Sequence, residues 1–156
     1  MRGFILRKGE PYYSLFGRAY KEIKMLSHNY NWLISNAECY PKELEYRKKL
    51  SSPYAWMTGE ELAQMLCKED FQWVWGVLSG FPNTIALDEV LKSPLPYADG
   101  NGAFWENPLT IQHPLAEVEI VAWDSCCSLF ISKNNDLIRE ITTVYPQIED
   151  LESYND

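Results

Sequence analysis

The sequence lacks the short motifs that mark the common enzyme classes. No GxSxG turn, Walker loop or GxGxxG segment occurs, so acyl transfer, phosphate binding and dinucleotide binding have no recognisable motif. Histidine is scarce: His28 and His113 are the two present, and neither stands in a metal-ligand spacing such as HExxH. We therefore predict no catalytic residue, no cofactor and no metal site, and we favour a protein that is not an enzyme.

Cysteine is also sparse. The four cysteines, Cys39, Cys67, Cys126 and Cys127, form no CxxC pair, which argues against a disulfide framework or a zinc ribbon. We expect buried thiols that serve packing. Neighbouring side chains of a strand point to opposite faces, so we expect Cys126 and Cys127 to share neither a disulfide nor a metal. A nucleophilic pair of His113 with Cys126 or Cys127 stays open, because such partners meet only in the folded chain.

Long apolar runs are missing too. No stretch approaches the roughly 20 apolar residues of a membrane span, and Arg7 and Lys8 interrupt the only apolar N-terminal segment. From this pattern we predict a cytoplasmic protein that makes no membrane contact.

Positive charge is scarce beyond the first third of the chain. Residues 1–50 hold 10 Lys and Arg against 5 Asp and Glu, whereas residues 51–156 hold 4 against 17. Acidic surfaces repel phosphates, so we predict no nucleic-acid partner. A local basic patch remains open from Arg18, Lys21, Lys24, Arg47, Lys48 and Lys49. The acidity itself has two readings, a solvated surface that favours solubility or a docking face for a basic partner.

What the sequence does contain is a well-formed pattern at residues 116–145. Val118, Ile120 and Ala122 alternate with Glu119, Val121 and Trp123, which is the period of a strand. Turn residues Asp124 and Ser125 precede a second strand, and an Asn cap opens a helix of apolar spacing that Pro146 ends. This pattern predicts a β-hairpin followed by a helix.

The remaining elements are less regular. Strands are predicted at residues 3–7, 29–35 and 71–79, and helices at residues 11–26, 58–68 and 87–91. Residues 42–50 are either a short helix or a loop. A single α+β domain covering residues 1–156 follows, with a mixed or antiparallel sheet of about five strands and three to four helices packed on it.

The longest irregular segment, residues 93–115, is where we expect a functional surface. Within it, Asp99-Gly100-Asn101-Gly102 resembles the first residues of a calcium-binding loop. Ala103 and Thr110 stand where such a loop requires ligands, so a tight turn is the better interpretation. Aromatic rings beside carboxylates are typical of protein interfaces. The predicted partner-binding residues are Asp88, Glu89, Asp99, Trp105 and Glu106.

Residues 111–155, IQHPLAEVEIVAWDSCCSLFISKNNDLIREITTVYPQIEDLESYN, resemble small acidic bacterial proteins of uncharacterised families that include immunity proteins of polymorphic toxin systems. The first two thirds of the chain resemble them more loosely, and no catalytic signature accompanies the resemblance. It implies a protein that neutralises a basic toxin by occluding its active site.

Two other functions stay open at this point. One is a small hydrolase-like enzyme with an unrecognised pocket, and the other is a structural or regulatory homo-oligomer such as a homodimer. A deep pocket that holds His113 beside Cys126 or Cys127 would favour the enzyme.

Overall fold

The computed structural model describes all residues from Met1 to Asp156. Its centre is one antiparallel sheet of seven strands in the order β3-β2-β4-β5-β6-β1-β7. The strands are β1 (Arg2–Leu6), β2 (Tyr30–Cys39), β3 (Tyr54–Thr58), β4 (Trp73–Pro82), β5 (Val118–Trp123), β6 (Cys127–Ser132) and β7 (Glu149–Asp150).

Seven helices accompany the sheet. They are α1 (Gly17–Glu22), α2 (Lys24–His28), α3 (Leu44–Leu50), α4 (Gly59–Lys68), α5 (Leu87–Val90), α6 (Asn135–Val144) and α7 (Leu151–Asn155). A single turn of 3-10 helix lies at Gly102–Trp105. None of the helices combines the length and the apolar character that crossing a bilayer requires.

The two faces of the sheet are covered differently. Helices α1, α2, α3, α4 and α6 cover one face around a core cluster of 27 buried residues. The opposite face is covered by residues 83–117 together with α7, which we call the loop layer, over clusters of 10 and 4 buried residues. The alternation along β5 separates these faces, because Ile120 belongs to the large cluster and Val121 to the loop layer's cluster.

The predicted α+β class and the hairpin followed by a helix are confirmed. The helix at residues 58–68 begins as predicted, since Thr58 Oγ1 accepts the Glu61 N–H at 3.1 Å and the Glu61 carboxylate accepts the Thr58 N–H at 2.8 Å. Asn134 caps α6 through the N–H groups of Asp136 and Leu137.

The count of five strands was too low, because β3 and β7 were missed. Strand β3 follows directly on the Ser51-Ser52-Pro53 break and alternates over only five residues. Strand β7 has two residues, and Asp150 is held beside β1 by an ion pair with Arg2 at 2.9 Å. A strand of two residues, such as β7, has no period of its own.

The predicted helix at residues 11–26 was wrong in its first third and in its continuity. Residues 11–16 are not helical, because Ser14 is drawn to the start of β4: its hydroxyl donates to the Trp73 carbonyl at 2.6 Å and its carbonyl accepts the Trp73 N–H at 3.2 Å. The helix that follows breaks at Ile23, whose φ of −94° and ψ of 93° are extended. Two short helices, α1 and α2, therefore replace one.

Candidate functional site

The loop layer crosses the sheet from β2 to β1 and returns to β5. At β2, Ser35 Oγ donates to the Pro96 carbonyl at 2.7 Å. At β1, the Leu109 side chain lies against Gly3, where an added Cβ would come within 2.5 Å of it. On the return, the Glu117 N–H donates to the Gly80 carbonyl of β4 at 3.0 Å. These contacts fix a segment that has little regular structure of its own.

Asn36 provides the firmest attachment at the β2 side. Its φ of 51° is in the left-handed region, which Asn tolerates better than most residues. From this position its side-chain oxygen accepts the N–H groups of Ala98 and Asp99 at 2.8 and 3.0 Å. The turn predicted at residues 99–102 follows directly, with Gly100 at a φ of 76°.

A buried polar cluster holds the returning arm of the loop layer. Glu119 is fully buried, and its carboxylate accepts the backbone N–H of Gln112 at 3.0 Å, the N–H of His113 at 3.2 Å and the Ser79 hydroxyl at 3.3 Å. A charged residue at the inward position of a strand requires such partners. Burial raises the pKa of Glu119 to about 7, and the three hydrogen bonds oppose that shift.

His113 belongs to the same cluster and is also buried. Its Nε2 lies 2.9 Å from the Val90 carbonyl and its Nδ1 accepts the Leu115 N–H at 3.2 Å, which assigns the ring proton to Nε2. The ring packs edge-on against Phe81 with centroids 4.8 Å apart. His113 thus packs locally and uses both ring nitrogens for backbone groups.

His113 is not placed beside the vicinal cysteines. Cys126 and Cys127 lie at the hairpin turn, where they line a cavity of about 560 Å³ with Trp105, Trp123 and Tyr154. His113 does not line that cavity. The geometry that would have favoured an enzyme is therefore absent.

The cysteines themselves depart from expectation in two ways. Cys127 is buried, but Cys126 and Cys67 are exposed and Cys39 is only partly buried, so the prediction of four buried thiols was wrong. The predicted separation of Cys126 and Cys127 onto opposite faces was also wrong, because their Sγ atoms are 3.9 Å apart. The hairpin turn explains this, since Trp123 pairs with Cys127 while also accepting the Cys126 N–H at 2.9 Å. Cys126 therefore belongs to the turn and precedes β6, so the alternation of side chains along a strand does not apply to it.

All five predicted partner-binding residues lie in the loop layer, but in separate parts of it. Asp88 and Glu89 are on α5, whose Val90 packs over Leu33 and Phe81 of β2 and β4. Asp99, Trp105 and Glu106 follow the crossing toward the hairpin, where Trp105 meets Trp123 at a centroid distance of 5.0 Å. The four carboxylates are exposed and Trp105 is half-buried.

Sequence reasoning missed Asn36, Glu119 and Trp123 as residues that organise this layer. A signal existed for Glu119, because a Glu between Val118 and Ile120 interrupts an otherwise apolar strand. No comparable signal marks Asn36, whose partners lie some 60 residues later in the chain.

The six basic residues proposed as a patch are distributed over the helical layer. Arg18 pairs with Glu10 at 2.5 Å and with Glu22 at 3.2 Å, and Lys24 donates to the Lys21 carbonyl. Three of the six, Arg18, Lys21 and Lys24, line a groove of about 620 Å³ between α1, α2 and α4, together with Asp70. The neighbouring carboxylates reduce its positive charge.

Compared with known proteins, the chain matches no family model, no curated protein and no solved structure.

Proposed function

We propose that this chain is a non-enzymatic protein-binding module that presents its loop layer to a basic partner, most concretely an immunity-type protein that occludes the active site of a toxin. The observation that carries the proposal is a set of exposed carboxylates without cations. Asp88, Glu89, Asp99 and Glu106 form no ion pair and accept no side-chain hydrogen bond within the chain.

The contrast with β7, at the edge of the sheet beside β1, supports this reading. There Glu149 pairs with Arg7 at 2.8 Å and with Lys8 at 3.2 Å, so its charge is compensated. Between residues 83 and 117 the chain has five Asp and Glu and a single Lys. An uncompensated surface of one sign attracts a partner of the other sign and accelerates association.

Exposed apolar side chains lie among these carboxylates. They are Leu91, Leu95, Tyr97 and Leu115, which are 36 to 51% exposed. Tyr97 is of a residue type that often contributes much of the affinity once a partner covers it, while the leucines add apolar contact and the surrounding charges favour specificity. The hydrogen bonds that Asn36 and Glu119 make to the loop backbone keep the surface ordered before binding, which lowers the entropic cost of association.

The enzyme and homo-oligomer readings have less support. Glu119 and His113 are the buried acid–base groups of this layer, and both use their polar atoms to hold backbone groups. An oligomer would appear in size-exclusion chromatography, and a monomer at high protein concentration would exclude it.

The test is co-expression with the product of the neighbouring open reading frame in a growth assay. Rescue of growth by the intact chain is expected. The double variants Asp88→Asn/Glu89→Gln and Asp99→Asn/Glu106→Gln should weaken binding to the copurified partner by about tenfold or more each, mainly through slower association.

The matched control is Glu45→Gln/Glu60→Gln, which removes the same charge from exposed positions on the helical layer. It should leave binding unchanged. A neighbour that is not toxic and a partner that never copurifies would remove the immunity proposal. Equal losses in the control and loop-layer variants would show that net charge, and not this surface, governs association.

A further inference from the structure

The cavity at the hairpin turn holds a pair of thiols that point into the same space. Cys126 and Cys127 have Sγ atoms 3.9 Å apart, and both line the cavity of about 560 Å³. One thiol is exposed and the other is buried, so the pair is reachable from solvent. The remaining walls are Ile5, Arg7, Trp105, Trp123 and Tyr154.

A disulfide is not what this spacing favours. Adjacent Cα atoms are about 3.8 Å apart, below the usual disulfide range of about 4.4–6.8 Å, so an adjacent pair can close only with strain. The sulfurs are also nearly twice a bond length of about 2.05 Å apart. By contrast, two sulfurs bound at about 2.3 Å to one bridging atom lie roughly 3.3 Å apart at a pyramidal centre and roughly 3.8 Å apart at a tetrahedral one. The observed 3.9 Å therefore leaves room for a single bridging atom.

The surroundings decide which kind of atom fits. No group of three or more His, Cys, Asp or Glu is arranged to hold a metal ion, so a cation would find two protein ligands where zinc prefers four. The guanidinium of Arg7 also lines the cavity, over the Tyr154 ring at 4.9 Å, and its ion pair with Glu149 at 2.8 Å occupies the carboxylate nearest to it, so no free acidic ligand joins the two thiols. Burial raises the pKa of the Cys127 thiol to about 12, so a cation would also have to displace a tightly held proton.

We propose that Cys126 and Cys127 form a chelating dithiol site for a neutral trivalent arsenical that retains one organic substituent. In the reaction with phenylarsonous acid, the hydrated form of phenylarsine oxide, two As–S bonds form while two S–H and two As–OH bonds break. The two thiol protons leave with the two hydroxyl groups as two water molecules. Arsenic remains trivalent, and no oxidant or reductant is needed. The phenyl group lies against the indoles of Trp105 and Trp123.

The test uses phenylarsine oxide on the Cys39→Ser/Cys67→Ser background, which leaves only the adjacent pair. Intact mass should show one phenylarsenic group per chain, with a change in tryptophan emission because two indoles line the cavity. An added dithiol should remove the adduct and a monothiol should not. Loss of the second bond in Cys126→Ser or Cys127→Ser should weaken binding by about 100-fold or more, since the second bond forms intramolecularly.

Cys126 is exposed at a turn, so Cys126→Ser should fold, and far-ultraviolet circular dichroism checks it. Affinity should be nearly constant between pH 6 and 8, because the reaction releases water and no proton. Binding no tighter than that of Cys126→Ser would overturn the proposal. So would tight binding of Zn²⁺ alone that strengthens with pH, or rapid loss of both thiols to a disulfide in air.

Discussion

The side-chain oxygen of Asn36 lies 3.0 Å from the backbone nitrogen of Asp99 and accepts its N–H, together with that of Ala98. One residue in a left-handed conformation on β2 thus holds the start of the turn at residues 99–102. The acidic surface proposed to meet a partner is therefore attached to the sheet as well as held by hydrogen bonds within the loop, such as those between Tyr97 and Gln112.

Replacement of Asn36 separates its two roles. Asn36→Asp keeps a side-chain acceptor and should be tolerated, whereas Asn36→Gly keeps the backbone conformation but loses both hydrogen bonds, at about 1–2 kcal/mol of unfolding free energy. Asn36→Ala should cost roughly 1 kcal/mol more, because its Cβ disfavours the left-handed region. Urea denaturation measures the costs, and limited proteolysis within residues 93–115 should accelerate in the same order. Equal stability of the Asp and Ala variants would contradict this account.

Glu119 should make stability depend on pH. Its folded pKa of about 7 lies above the ordinary value of 4.5, so the folded state binds more protons than the unfolded state between these values. The stabilisation that protonation of Glu119 provides is fully present below about pH 4.5 and is lost as the pH rises to about 7. The free energy of unfolding should fall over this range by at most about 1.4 kcal/mol per pH unit, and this group should not change it further above pH 7.

Glu119→Gln should abolish this decline. Because Gln has one acceptor oxygen, one backbone N–H loses its partner, which should lower the free energy of unfolding by about 1–3 kcal/mol below pH 5. Urea denaturation from pH 4.5 to 8 compares the two proteins, and Glu106→Gln serves as an exposed control that should retain the decline. An unchanged slope in Glu119→Gln would show that Glu119 does not titrate in this range.

Two fully buried tryptophans allow the contribution of one hydrogen bond to the free energy of unfolding to be measured by comparison. Trp32 Nε1 donates to the Leu26 carbonyl at 2.8 Å, whereas Trp73 Nε1 is buried with no partner. Replacement by Phe leaves a similar void at each position. Trp32→Phe should therefore lower the free energy of unfolding by about 1–2 kcal/mol more than Trp73→Phe. Equal costs in thermal and urea denaturation would refute the difference.

Gly59 and Gly102 should respond oppositely to an added methyl group. A Cβ at Gly59 would lie 2.6 Å from the backbone carbonyl oxygens of Leu26 and Ser27, so α4 could not stay packed against the end of α2. Gly59→Ala should cost about 1–3 kcal/mol through overpacking. A Cβ at Gly102 meets nothing within 4 Å, and Gly102→Ala should be neutral or slightly stabilising. Calorimetry on both variants checks the contrast.

Local patterns predicted the elements that are determined locally. The faces of β5 follow from alternation, and the start of α4 follows from the Thr58–Glu61 box, because each depends on residues a few positions apart. The non-helical path of residues 11–16 and the short strand β7 depend instead on distant partners, Trp73 and Arg2. No periodicity contains that information.

The candidate site was predictable in its acidity but not in its construction. The exposed carboxylates are visible as composition, whereas the meeting of the two thiols depends on Cys126 lying in the turn that precedes β6. A turn residue is not bound by strand alternation, so the predicted separation of Cys126 and Cys127 onto opposite faces was wrong.

The unequal cores of the two faces have a consequence for local unfolding. The helical layer buries 27 residues in one cluster, and the loop layer divides its contacts between clusters of 10 and 4. Amide protons of residues 83–117 should therefore exchange with solvent through openings that leave the sheet intact, while those of β4, β5 and β6 exchange only when the whole chain unfolds. Such independence lets the outer surface accumulate substitutions without loss of the scaffold, which is what divergence toward new partners requires.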